Sequence, residues 1–171
     1  MYKPMLACDW HESKVKFPCG MQPKVDGVRS INRNGKLIGR SLKVHENPFV
    51  TAQFSLPEYH GMDGEMYLGT DPTLPDLCRI TSQALRRGYG EPQVTWMIFD
   101  YTTEYTKYLP YSSRMFALAE YIDSLPNWLT ENIEIVPCVN INNMEELLEE
   151  ESRLLDLGYE GGILRDLEEL Y

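Results

Sequence analysis

The chain has 171 residues, is 43% hydrophobic and carries a formal net charge of −10. That is enough apolar material for one sizeable core, hence one domain, and its bulk charge excludes a protein that coats nucleic acid by general attraction. No apolar run reaches the length of a membrane span, and the opening Met-Tyr-Lys-Pro-Met-Leu-Ala lacks a signal peptide's apolar stretch, so a cytoplasmic protein with no membrane partner is expected.

Charge is unevenly spread. Acids dominate from Met144 to Tyr171, whereas Lys and Arg collect earlier, at Lys24, Arg29, Arg33, Lys36, Arg40 and Lys43, then Arg79, Arg86 and Arg87. Any nucleic-acid surface is expected in that first half. Four cysteines, Cys8, Cys19, Cys78 and Cys138, show no regular spacing, and three histidines are scattered, so neither zinc nor a disulfide framework is expected. The cysteines read as reduced, small apolar residues.

In chain order, Met21 to Lys24 leads into an Asp26-Gly27 turn. Val28 to Asn32 alternates like a half-buried strand, Asn34-Gly35 signals a hairpin, and Lys36 to Ser41 reads as the return strand. This predicts Lys24, Arg29 and Arg40 on neighbouring antiparallel strands. Asn47-Pro48 starts a short helical segment to Phe54. Met62 to Leu68 reads as a strand, Leu77 to Arg87 as a helix stopped at Gly88, and Val94 to Tyr101 as an apolar strand. Ser112 to Leu125 is an amphipathic helix ended by Pro126, and Ile133 to Val139 is a strand. Asn143 to Leu157 is a helix with Met144, Leu147, Leu148, Leu154 and Leu155 inside, and Gly162 to Arg165 is a last strand. Mixed strands, helices and hairpins without a repeat indicate an α+β domain.

The run Lys24-Val25-Asp26-Gly27-Val28-Arg29 has two readings. It is a solvated turn, or it places a nucleophilic amine beside a glycine that allows close backbone approach and an arginine that forks onto phosphate. Asp63-Gly64-Glu65 is a turn with a solvated glutamate, or a carboxylate for a ribose hydroxyl or a metal. Phe99 before Asp100 is core, or a ring that stacks on a purine. Glu160-Gly161-Gly162-Ile163 is loop material, or carries a magnesium ligand. Arg40, in Gly39-Arg40-Ser41, is the weakest candidate.

Taken in order, Lys-x-Asp-Gly-x-Arg at 24–29, Arg40, Asp-Gly-Glu at 63–65, Phe-Asp at 99–100 and Glu-Gly-Gly-Ile at 160–163 resemble the adenylation domain of ATP-dependent DNA ligases. These belong to the covalent nucleotidyltransferase superfamily. Lys3-Pro4-Met5-Leu6-Ala7, Gly39 to Lys43 followed by Asn47-Pro48, and Tyr89-Gly90-Glu91-Pro92 look like small phage-type ligases. The resemblance covers essentially the whole chain and implies an antiparallel-sheet, ATP-grasp-like nucleotidyltransferase domain. It implies Lys24 as the AMP-accepting nucleophile, Arg29 and Arg40 on the nucleotide or nick phosphate, Glu65 on the ribose, Phe99 on adenine, Gln22 near the adenine edge, and Glu160 serving Mg2+ or Mn2+. ATP and nicked duplex DNA are the implied partners of a monomeric enzyme in a bacterial or phage-infected cytoplasm. Its lysine would need activation by cations, metal or partial burial.

One departure stands out. Relatives continue to a Lys-x-Lys motif that grips the α-phosphate and then to a small barrel (OB) domain, whereas here no lysine follows Lys107. The expectation is that residues 1–171 form an adenylation domain without its last strand and OB domain, sealing nicks poorly alone. An RNA ligase of the same superfamily, and a non-catalytic nucleotide- or nucleic-acid-binding module, remain as alternatives.

Overall fold

The computed structural model describes residues 3–171 and shows two sheets with helices on their outer faces. The signal-peptide reading begins on residues 1–2, which lie outside that range. The strands are β1 (Cys19–Pro23), β2 (Val28–Arg33), β3 (Lys36–Gly39), β4 (Met62–Leu68), β5 (Val94–Tyr101), β6 (Ile133–Ile135), β7 (Val139–Ile141) and β8 (Gly162–Arg165). The main helices are α1 (Pro48–Phe54), α2 (Leu77–Arg86), α3 (Tyr111–Ser124), α4 (Asn127–Thr130) and α5 (Met144–Asp156). A five-stranded sheet runs β3-β2-β4-β5-β6 and a three-stranded sheet runs β7-β1-β8. All pairings are antiparallel except β5 with β6.

Alternation along the strands gives each sheet an oily face and a site face. In the large sheet, Met66, Trp96 and Ile98 point into the main core with Val50 and Phe54 of α1 and Leu118 of α3. Trp96 is fully buried, meets Phe54 and Tyr59 edge-on, and donates its indole N–H to Ser30 O at 3.1 Å. In the small sheet, Cys19, Met21 and Leu164 pack with Ile141 against Leu147 and Leu154 of α5. The opposite faces of the two sheets meet each other.

Local signals set the helix ends. The Asn47 side chain accepts from Val50 N–H at 3.0 Å with Pro48 in the first turn, and its amide also donates to the Arg87 carbonyl at 3.0 Å, tying α1 to the end of α2. Asn143 caps α5 by accepting from Glu146 N–H at 3.0 Å, while the Glu146 carboxylate reaches back to Asn142 N–H at 2.8 Å.

Several expectations are corrected. Lys24 does not share a sheet with Arg29. It follows β1 of the small sheet, and residues 24–27 cross to β2 of the large one. Gly27 serves that crossing, since a Cβ there would lie 2.5 Å from the Met66 carbonyl oxygen. Arg40 lies in a turn just past β3. The single strand expected over Ile133 to Val139 is two, one in each sheet, because Pro137 lacks the N–H that would continue the ladder. On α5, Leu147 and Leu154 face inward, whereas Leu148 and Leu155 are each 53% exposed. Of the cysteines, all free, only Cys19 is buried.

Candidate active site

The site lies where the two sheets face each other. Register puts Arg29, Glu65 and Met97 in one row across β2, β4 and β5, and puts Gln22 of β1 opposite Ile163 of β8 on the facing sheet. Phe99 joins them through a bulge. Asp63 pairs with Asp100 and Gly64 with Ile98, so Phe99 is the extra residue that β5 inserts. Gly64 is required there, because a Cβ would sit 2.2 Å from the Met97 carbonyl oxygen. The glycine of Asp-Gly-Glu is thus a packing necessity.

Arg29 is anchored bidentately on Asp63, Nε to Oδ1 at 2.9 Å and Nη2 to Oδ2 at 2.7 Å, and Nη1 donates to the Met5 carbonyl. Burial works against the Arg29 cation, but its bonds to Asp63 outweigh this and the net shift is upward. Burial likewise raises the fully buried Asp63 carboxyl, while its bonds to Arg29 pull the other way without cancelling the rise. The Tyr171 hydroxyl donates to Asp63 Oδ2 at 3.3 Å and accepts from Met5 N–H at 3.1 Å. Both ends of the described chain therefore close over the Arg29–Asp63 pair.

Glu65 is different. Its Oε2 is buried with no hydrogen-bond partner, and burial pushes its carboxyl up to about 8 even though Arg29 and Lys24 pull it down. A buried, unpartnered oxygen is a group waiting for a ligand donor, or for a proton.

Lys24 stands at the rim. Its backbone N–H donates to Gly161 O at 2.9 Å, fixing it beside β8, and Nζ pairs with the Glu160 carboxylate. The two side chains are 51% and 45% exposed. Lys24, Asp26 and Glu160 line an open cleft of about 250 Å3, together with residues 72–76 and Gly158 and Tyr159. Among the described residues no cluster of three His, Cys, Asp or Glu side chains is built to cage a metal. The hard oxygens of Asp26 and Glu160 nevertheless suit a divalent ion that takes most of its ligands from substrate phosphates.

Gln22, 1% exposed, is held from both sides. Its Oε1 accepts from Arg165 Nε at 2.9 Å, its Nε2 donates to the Tyr111 hydroxyl, and that hydroxyl donates to the Phe99 carbonyl at 3.1 Å. Of the residues singled out in the sequence, Lys24 and Glu160 meet directly, while Gln22, Arg29, Glu65 and Phe99 line the facing sheets. Arg40 is exposed and makes no hydrogen bond or ion pair to any of them.

The sequence reading missed Asp63 as the seat of Arg29, and missed Arg165, Tyr111 and the Asp100–Arg114 pair. Arg114 forks onto Asp100 at 2.7 and 2.9 Å with both residues 1% exposed. A signal existed: Arg114 shares a helical face with Tyr111 and Leu118, and a charge on an apolar face needs a buried partner.

No family model matches the sequence, and no curated protein matches it. Solved structures do. The Chlorella virus DNA ligase-adenylate is 29% identical with a TM-score of 0.82, over 100% of this chain and 63% of that one. A Lig E DNA ligase is 19% identical with a TM-score of 0.78, over 100% of this chain and 64% of that one. The ligase domain of LigD from M. tuberculosis is 20% identical with a TM-score of 0.68, over 99% of this chain and 54% of that one. The chain thus spans less than two thirds of these relatives' length. The last two, at their low identity, speak to fold alone. From its first described strand to its last, the chain has the fold of the adenylation (nucleotidyltransferase) domain of ATP-dependent DNA ligases.

Proposed function

We propose that this chain transfers AMP from ATP to Lys24 and serves as the adenylation domain of an enzyme that seals nicks in duplex DNA. The observation that carries the reading is the pairing of Lys24 with Glu160 at an open cleft, joined by residues 24–27 to the sheet whose neighbouring strands carry Arg29, Glu65 and Phe99. Likeness over the whole chain to a ligase solved as its adenylate supports it.

In this mechanism ATP enters between the sheets. The Phe99 ring, half-buried with the Arg29 and Arg165 guanidinium carbons 5.1 and 5.2 Å from its centroid, is assigned to the adenine, and Gln22 to the edge of that base. The partnerless Glu65 oxygen accepts a ribose hydroxyl, which supplies the hydrogen-bond partner it lacks. Arg29, already held by Asp63, presents the rest of its guanidinium to ribose or phosphate oxygens without further ordering. Lys24 Nζ, released from Glu160 and stripped of a proton, attacks the α-phosphorus. A P–N bond forms, the bond to the bridging oxygen breaks, and pyrophosphate leaves. Asp26 and Glu160 would hold a Mg2+ or Mn2+ ion, which when bound offsets charge on the phosphoryl oxygens. AMP then passes to the 5′-phosphate at a nick, and the 3′-hydroxyl displaces it. Arg40, exposed beside the basic β2–β3 hairpin, is assigned to the nick phosphate rather than to the nucleotide pocket. No helix among the described residues is long and apolar enough to cross a membrane. Action as a monomer in the cytoplasm is part of this proposal.

The test is direct. The chain is incubated with α-labelled ATP and Mg2+ or Mn2+, then denatured. Retained label that disappears in Lys24→Ala is expected. A chain that stays unlabelled with either metal, beside a ligase that labels, would overturn the covalent step. Joining assays on nicked DNA and nicked RNA duplexes then distinguish the two polynucleotide substrates.

A further inference from the structure

Arg29, Asp63, Tyr171 and Met5 close a ring of hydrogen bonds. Arg29 forks onto Asp63, the Tyr171 hydroxyl donates to Asp63 Oδ2 at 3.3 Å, Met5 N–H donates to the Tyr171 oxygen at 3.1 Å, and the Met5 carbonyl accepts from Arg29 Nη1. Every group plays a role that its chemistry permits. The tyrosine oxygen accepts and donates, the carboxylate only accepts and the guanidinium only donates. Bonds linked in this way polarise one another, most of all around a charge taken out of water.

Tyr171 is itself held by groups outside the ring. Its aromatic centroid lies 5.7 Å from Arg114 Cζ, and Arg114 Nη1 donates to the Glu169 carbonyl at 2.9 Å. Arg114 is fixed in turn by its fork on Asp100. At the start of α3, Ser112 N–H donates to the Leu167 carbonyl at 3.0 Å. The segment 166–171 thus runs from β8 of the small sheet to Asp63 of β4 in the large one. On the other side of the ring, Met5 follows the buried Pro4.

The consequence falls on Arg29. A fork on one carboxylate fixes a distance but lets the pair turn together about the Asp63 side chain. Tyr171 on Oδ2 and Met5 on Nη1 oppose that turn from the two ends of the pair. The N–H groups of Arg29 that neither Asp63 nor Met5 takes are then left for a ligand in a fixed plane.

We propose that Tyr171 is a positioning residue for Arg29: its hydroxyl closes the ring and so sets the plane in which Arg29 offers its remaining N–H groups to ribose or phosphate oxygens. The ligand rests on the adenylation reading above. The assignment to Tyr171 goes beyond it, to a residue outside every motif that carries that reading. A donor held at the right angle before the ligand arrives binds more tightly than one ordered on arrival.

The experiment compares Tyr171→Phe, Arg29→Lys and the double variant with the unmodified chain. Phenylalanine keeps the aromatic face on Arg114 and loses only the hydroxyl, so a packing role would survive it. Hydrogen exchange at Met5 N–H and Arg29 Nε–H, followed by NMR, reads the ring without any nucleotide. ATP affinity, measured with every chain also carrying Lys24→Ala so that no covalent step intervenes, reads its use. In Tyr171→Phe both protons are expected to exchange about tenfold faster, and ATP to bind about fivefold more weakly. Beside Arg29→Lys, which cannot fork, adding Tyr171→Phe should change ATP affinity less than about twofold. Unchanged exchange at both protons, an unchanged ATP affinity in Tyr171→Phe, or a loss as large beside Arg29→Lys as without it would each overturn the proposal and leave the adenylation reading standing. A chain that binds no ATP removes the adenylation reading. Faster exchange at Arg29 Nε–H in Tyr171→Phe then still upholds the positioning of Arg29, and unchanged exchange overturns it. Should Tyr171→Phe fail to fold by circular dichroism, Met5→Pro decides in its place, since it removes the N–H that closes the ring and keeps the carbonyl.

Discussion

The protein interior that floors the space between the sheets and the rim where Lys24 stands are built on opposite plans. On the floor, Arg29 and Asp63 and, behind them, Arg114 and Asp100 are forked ion pairs with buried carboxylates. At the rim, Lys24 and Glu160 pair with about half of each side chain in water. A buried forked pair holds one geometry and is ruinous to break, whereas an exposed pair is worth little and exchanges partners easily. The contrast suits the proposed chemistry. The groups that orient a nucleotide are fixed beforehand, and the group that must attack, accept AMP and release it is held loosely.

Lys24→Ala tests the rim most severely. Covalent labelling is expected to vanish while the thermal midpoint of unfolding scarcely moves. A large drop in that midpoint would mean that the rim is structural and would erase the distinction. Asp100→Ala probes the opposite end of the contrast. It strands the Arg114 guanidinium in the core and should cost about 3–5 kcal/mol in urea unfolding. A loss below about 1 kcal/mol, the range of an exposed pair, would place it with the rim.

Glu65 lies between the two plans, half-buried, with one buried oxygen that has no partner. Its carboxyl is raised from 4.5 to about 8, by burial first and then by Asp63 and Asp26, against the pull of Arg29 and Lys24. The folded state therefore holds a proton that the unfolded chain releases. Its contribution to stability is complete below about 4.5 and is lost as pH rises to about 8. Glu65→Gln, which cannot ionise, should flatten the stability profile over that window and weaken ATP binding. An unchanged slope in denaturation across those pH values would show that the carboxylate already has a partner in solution. The smallest effect is expected at Arg40. Arg40→Ala should leave stability within about 0.5 kcal/mol and labelling by ATP intact, while weakening binding to nicked duplex in a salt-dependent way. Reduced labelling would draw this residue into the nucleotide pocket.

Much of the site was legible because local chemistry demanded it. Asp-Gly at 26–27 and 63–64, Phe99 at the end of an apolar strand and Glu160 after a helix stop each carry a short-range signal, and their order along the chain supplied the resemblance. What was not legible was the seating. Arg29 and Asp63 are 34 residues apart, Gln22 and Arg165 are 143 apart, and nothing local says that they meet. Arg40 illustrates the reverse case, a motif residue that the fold leaves in a surface turn.

The sequence by itself determined the helices and most of the strands, since capping asparagines, stop glycines and apolar periodicity act over a few residues. It also determined which residue types were on hand for nucleotidyl chemistry. Only the tertiary structure decided that Lys24 and Arg29, five positions apart, stand on different sheets. Only there do the bulge at Phe99, the unpartnered oxygen of Glu65 and the two-sided hold on Gln22 come into being. The reason is physical: strand pairing, burial and ion-pair geometry are long-range properties of the packed chain, and no single stretch of residues contains them.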